Sequence, residues 1–200
     1  MQQGVFAKAV ILTVIKMLTV NGATDQVIEF CGSAVENMSM EERMTLCNMA
    51  IEAGGTSGVC LPDAVTVDYL WPFISNDYSS KTAAVEAFKK WHSDADAVYT
   101  KTLQLDVSTV VPSATHGFKP DMVKPLAEMG DLSINQVYIG SCTNGRIEDL
   151  RVAAAILRGY RVHPRLRCLV IPGSQKVYAQ ALKEGLIEVF LDAECAVSTP

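Results

Sequence analysis

The chain has 200 residues, 49% apolar and 20% charged, the balance of a globular protein with a sizeable core. Its 17 basic and 22 acidic residues give a net charge of −5, which argues against nucleic-acid binding, since a phosphate backbone calls for a basic face. Val5 to Val20 is apolar but broken by Lys8 and Lys16. It therefore falls short of the roughly 18 uncharged apolar residues of a membrane span, and no A-x-A-like cleavage site follows it.

Phe6 to Thr19 reads as a buried helix, and Val27 to Phe30 as a short strand. Ser39 opens a second helix, with Glu42 three residues on completing a capping box. Gly54-Gly55 should end that helix near Ala53. Pro62 to Ile74 reads as a short helix, and Ser80 caps another that runs through Trp91. Lys101 to Val107 alternates, with Leu103, Leu105 and Val107 on one face, the pattern of a half-buried strand.

Val111 to Pro125 holds three prolines and a glycine, the signature of a linker. The expected division is a first portion over 1–111, a linker over 112–125 and a second portion over 126–200. The second portion reads strand (Gln136 to Ile139), helix (Ile147 to Leu157), strand (Leu166 to Ile171), helix (Val177 to Glu184), strand (Val189 to Leu191). That order implies an α/β fold: a parallel sheet with right-handed crossovers and flanking helices. The six cysteines show no C-x-x-C spacing, so reduced thiols in a cytoplasmic protein are expected. His92, His116 and His163 are scattered and lie near no acidic or cysteine cluster.

Ligands of parallel sheets bind in loops at the carboxyl ends of strands. Two such loops occur, Ser141 to Arg146 and Pro172 to Gln175, each leading into a helix. Helix N-termini favour anions and lower the pKa of a nearby thiol such as Cys142. Ser141, Thr143, Asn144, Arg146 and Ser174 are the candidate anion-binding residues. An ordinary turn with a structural cysteine is the competing reading. Asn48 and Glu52 are four apart on the capped helix and should share a face. Such an amide and carboxylate could hold and protonate a hydroxyl; a solvated polar stripe would look the same.

Four strings, Glu36 to Arg43, Cys47 to Gly54, Gly140 to Arg146 and Val170 to Ser174, together resemble the aconitase superfamily, most closely its isopropylmalate dehydratase and homoaconitase large-subunit branch. The resemblance implies a hydro-lyase with a [4Fe-4S] cluster, one iron of which acts as a Lewis acid on a hydroxy-di- or tricarboxylate substrate. By matching position, Cys142 is a cluster ligand, Asn48 the amide beside the cluster and Glu52 the carboxylate near the iron-bound hydroxyl. The resemblance also implies a separate small subunit as partner, and no membrane or nucleic acid. In the family, two further ligands lie in a Cys-Gly-Pro-Cys segment after a stretch like Ala196 to Pro200, and histidine-rich segments precede one like Gly4 to Phe6. The expectation is a central part of a large subunit that holds no stable cluster and is inactive by itself. The alternatives are a non-catalytic carboxylate- or protein-binding module on the same fold, and a thiol enzyme using Cys142, for which no well-placed base is evident.

Overall fold

The structure, a computed structural model, describes residues 2–200. It divides into two compact units, one ending at Met129 and one spanning Gly130–Pro200, and each is described by itself.

The first unit is built on α1 (Ala7–Leu18), which buries Ala7, Val10, Ile11, Leu12 and Ile15. β1 (Val27–Phe30) pairs in parallel with β2 (Ser57–Cys60), Val27 opposite Ser57 and Phe30 opposite Cys60. The crossover between them carries α2 (Ser33–Glu36), α3 (Met40–Asn48) and a 3₁₀ turn, Met49–Ala53. The capping box forms: the Glu42 N–H donates to Ser39 Oγ at 3.2 Å, and the Ser39 N–H donates to Glu42 Oε2 at 3.0 Å. α3 packs on both α1 and β2, which closes a core around Ile11, Ile15, Met38 and Leu46.

One buried cation ties this crossover together. Arg43, 2% exposed, donates from Nε to the Val35 carbonyl at 3.1 Å and from Nη2 to the Glu36 carbonyl at 3.0 Å. It also grips Asp63 with two 2.8 Å bonds, from Nη1 to Oδ1 and from Nη2 to Oδ2. Asp63 is in turn the N-cap of α4 (Ala64–Ile74), accepting from the Thr66 N–H at 3.2 Å. Thus α2, α3 and the start of α4 share one guanidinium. α5 (Lys81–Phe88) follows, capped by Ser80 as expected, with Oγ accepting from the Ala83 N–H at 3.1 Å.

Lys101 to Val107 forms no strand. Leu105 and Val107 do turn toward the core, but among the described residues no strand pairs with this segment, and a short 3₁₀ turn (Val107–Thr109) follows. The proline-rich segment expected as a linker over 112–125 contains an antiparallel hairpin. Its strands, β3 (Ser113–Thr115) and β4 (Val123–Pro125), pack on α1, with Val123 buried. The division between units falls after Met129 instead.

The second unit is a parallel three-stranded sheet in the order β5 (Gln136–Gly140), β6 (Arg167–Ile171), β7 (Ala196–Val197). α6 (Ser141–Asn144) and α7 (Ile147–Leu157) link the first pair; α8 (Gln175–Lys183) and α9 (Leu186–Asp192) link the second. Val189 to Leu191, expected as the third strand, lies inside α9. Leu186, Ile187, Val189 and Phe190 are its buried residues, and that one-three-four spacing is the face of a helix. The third strand is instead Ala196–Val197, paired to Leu169 and Val170.

Candidate functional site

The two expected loops sit at the carboxyl ends of the adjacent parallel strands β5 and β6, the position at which parallel α/β sheets bind ligands. They are stitched together by backbone. The Gly173 N–H donates to the Gly145 carbonyl at 2.7 Å, and the Gly145 N–H to the Ser141 carbonyl at 3.1 Å. The approach leaves no room for a side chain at position 145. A Cβ there would lie 2.7 Å from the Ser141 oxygen and 2.8 Å from the Gly173 nitrogen. Gly145→Ala should therefore pry the loops apart and destabilise this unit by about 2 kcal/mol, the usual scale of overpacking. Urea denaturation with hydrogen exchange at the Gly173 amide measures this; an unchanged midpoint with that amide still protected would show that the loops are held otherwise.

The chain leaves β5 through Gly140 (φ 148°) into Ser141, whose φ of 78° is in the left-handed region that side chains avoid. Strained positions of this kind concentrate at ligand-handling loops. The turn lifts Cys142 into solvent, while Thr143 beside it is buried. The Thr143 N–H donates to Ser141 Oγ at 3.3 Å, and Arg146 Nη2 donates to the Cys142 carbonyl at 3.2 Å. Ser141–Asn144 is thus a single helical turn, not an open loop.

Asp149 is a residue of the site that sequence reasoning missed. Its Oδ1 accepts from Asn144 Nδ2 at 2.8 Å and its Oδ2 from the Arg146 N–H at 3.1 Å. It therefore orients the Asn144 side chain and, through the Arg146 backbone, caps α7. The signal was available: a carboxylate at the third position of a helix reaches back to the N-cap amide. Ser174 caps α8, its Oγ accepting from the Val177 N–H at 3.2 Å, so this oxygen already serves the helix. Both long helices of the unit thus begin with their own caps.

Two side chains of the first loop carry the most informative feature of the unit. Asn144 Oδ1 and Arg146 Nε are buried, and neither has a hydrogen-bond partner. Buried polar atoms are satisfied in the great majority of cases, and exceptions mark places where a ligand, ion or water belongs. Here one donor and one acceptor are left over on a loop that also presents a thiol.

Asn48 and Glu52 lie in the first unit. Asn48 ends α3 and is exposed; Glu52 is half-buried in the 3₁₀ turn that follows. With three residues per turn, positions three apart align, not four, so the shared face expected of a continuous α-helix does not carry through. Burial pushes the Glu52 carboxyl above its ordinary pKa, against a smaller opposing effect from Lys8. A carboxyl raised by desolvation is a better proton donor near neutral pH.

Among the described residues, no group of three His, Cys, Asp or Glu side chains is placed to hold a metal ion. Cys142 fits the part of a single exposed thiolate ligand; these residues do not assemble the complete set for a four-iron cluster. No helix among them is long and apolar enough to cross a membrane.

A parallel sheet with flanking helices, carrying glycine-stitched loops, an exposed thiol and unsatisfied polar groups at its strand ends, defines an α/β protein. Comparison with known proteins narrows the class. The profile of the aconitase family (aconitate hydratase) matches residues 1–131 and 127–200, and the chain belongs to that family. It is 61% identical over 198 residues to the 3-isopropylmalate dehydratase large subunit of Geotalea uraniireducens, covering 99% of this chain and 46% of that protein. The protein of that name from Geobacter sulfurreducens is 57% identical over the same coverage. That from Thermodesulfovibrio yellowstonii is 44% identical over all of this chain and 45% of its own length. The chain thus spans about half the length of the relatives it matches.

Proposed function

We propose that this chain is the central part of a 3-isopropylmalate dehydratase large subunit, a hydro-lyase that removes water from a hydroxy-diacid and returns it at the neighbouring carbon. The reading rests on the loop at the end of β5, where an exposed thiol and two unsatisfied polar atoms stand together, and on the similarity along the whole chain to large subunits of that name. In this reading Cys142 is one thiolate ligand of a [4Fe-4S] cluster, which when bound supplies a Lewis-acidic iron.

The chain's own groups divide the remaining work. Arg146 offers a cationic N–H donor for a substrate carboxylate, held in place by its bond to the Cys142 carbonyl. Asn144, oriented by Asp149, leaves its amide oxygen to accept from a substrate hydroxyl. Ser141 and Thr143 shape the turn, and the Ser174 hydroxyl retains a proton to donate while its oxygen caps α8. In the first unit Asn48 is the positioning amide, and Glu52 the carboxyl that gives and takes the proton of the departing water. A small subunit completes the enzyme, as the relatives' designation "large subunit" suggests.

Calorimetric titration of the chain with 2-isopropylmalate tests the anion-binding part of this reading. The dianion should bind, and Arg146→Gln should weaken it about tenfold or more, the worth of a charged hydrogen bond. Equal heats for both proteins, or none for either, would overturn the role given to this loop.

A further inference from the structure

Cys47 and Cys60 have no part in the function proposed above, yet the fold brings them together. Cys47 is the next-to-last residue of α3 and Cys60 the last of β2. Gly58 and Cys60 lie on one face of the strand, since side chains alternate. That face is pressed onto the end of α3: a Cβ at position 58 would come 2.8 Å from Cys47 Cα and 2.9 Å from Ala50 Cβ. Two residues on, the Cys60 sulfur meets the Cys47 sulfur at 3.7 Å. Both side chains are half-buried, within reach of a small solute.

We propose that Cys47 and Cys60 are a redox-responsive dithiol, which a low-molecular-weight disulfide such as oxidised glutathione converts reversibly to an intramolecular disulfide. The sulfurs need to close only from contact to a bond of about 2 Å. Their chemistry is already divided. Contact with Cys60 holds the Cys47 thiol below its ordinary pKa, and the same contact, with burial, pushes Cys60 up. Cys47 is therefore the attacking thiolate. It bonds to one sulfur of the oxidant and releases one glutathione thiolate. Cys60 then loses its proton to solvent, attacks the Cys47 sulfur and releases the second glutathione. Two thiols become one disulfide, and the oxidant is reduced to two thiols. Arg43, one helical turn before Cys47, favours the Cys60 thiolate, an effect that its partner Asp63 opposes. The bond would tie the end of α3 to the end of β2 and close a loop over the intervening residues, Asn48 and Glu52 among them.

The second unit provides an internal contrast. Cys168 and Cys195 also neighbour one another, but both are buried in its core, and burial, then the contact with Cys168, pushes Cys195 up to about 12. They should stay reduced.

The reduced chain is treated with oxidised glutathione, alkylated, digested without reductant and mapped by mass spectrometry. The expected product is a linked pair of peptides containing Cys47 and Cys60, lacking two hydrogens and carrying no glutathione. It should be reversed by dithiothreitol and formed at least about tenfold faster than any product at Cys168. In Cys60→Ser, Cys47 should be trapped as its glutathione mixed disulfide. If Cys47 in the unsubstituted chain accumulates glutathione without linking to Cys60, the proposal fails. It also fails if both residues stay fully alkylatable while exposed Cys31 and Cys142 are modified. The linked peptide in the unsubstituted chain decides the matter even if the serine variant does not fold.

Discussion

Anaerobic reconstitution of this 200-residue chain with iron and sulfide should leave it with no stoichiometric cluster and no hydro-lyase activity. A four-iron cluster normally requires three or four cysteine ligands, and one candidate, Cys142, stands exposed on the turn after β5. The other thiols of its unit, Cys168 and Cys195, are buried in the hydrophobic core, out of reach of a cluster at the Cys142 loop. Visible sulfide-to-iron absorbance that survives gel filtration at one cluster per chain would refute the expectation. A positive arm isolates the role of Cys142. A large subunit that contains this segment together with a Cys-x-x-Cys segment should take up the cluster, and Cys142→Ala should abolish that uptake. Retention of a normal cluster by that variant would remove Cys142 from the ligand set.

Arg43→Met should destabilise the first unit by about 3 kcal/mol, toward the low end of the range for breaking a buried ion pair. Methionine fills a similar volume but strands Asp63 and leaves the Val35 and Glu36 carbonyls without their donor. The loss stays at the low end because the Asp63 side chain is 36% exposed and can be partly rehydrated. Adding Asp63→Asn should recover part of it, since asparagine carries no charge to strand and still caps α4. A urea-derived stability for Arg43→Met that falls by less than about 0.5 kcal/mol, the range of ordinary surface changes, would show that the guanidinium does not tie the crossover.

The same pair sets a pH dependence. Burial by itself would raise the Asp63 carboxyl, but its bonds to Arg43 and to the Thr66 N–H more than offset that and hold it below its ordinary value. A carboxyl depressed in the folded state binds fewer protons there than in the unfolded chain. Its stabilisation is therefore present in full above the unfolded value of about 4 and lost as pH falls through the folded value. The acid limb of the stability curve should accordingly be steeper for the unsubstituted chain than for Arg43→Met.

Local signals carried much of this fold. The Ser39–Glu42 capping box, the apolar stripe of α1 and the Ser80 cap are interactions between residues three or four apart, so a short window of sequence contains both partners. The loop after β5 was legible for a similar reason: glycines, a serine and a thiol between an apolar run and a helical one have few structural uses. Short apolar runs were ambiguous. Val189 to Leu191 suits a strand or a helix equally until the burial of Leu186 and Ile187 settles its period. Lys101 to Val107 has the alternation of a strand, but alternation alone does not make a ladder, and among the described residues no strand pairs with it.

The sequence by itself determined the parallel α/β class, the places where the main helices begin and the Cys142 loop, because each is written in neighbouring residues. Tertiary structure decided the rest. It paired β2 with β1 and β7 with β6, and it zipped Gly145 to Gly173. It buried Arg43 against Asp63 and set Cys47 beside Cys60. Each of these joins residues well apart in the chain, through contacts that exist only once the elements have packed, and no local periodicity encodes them.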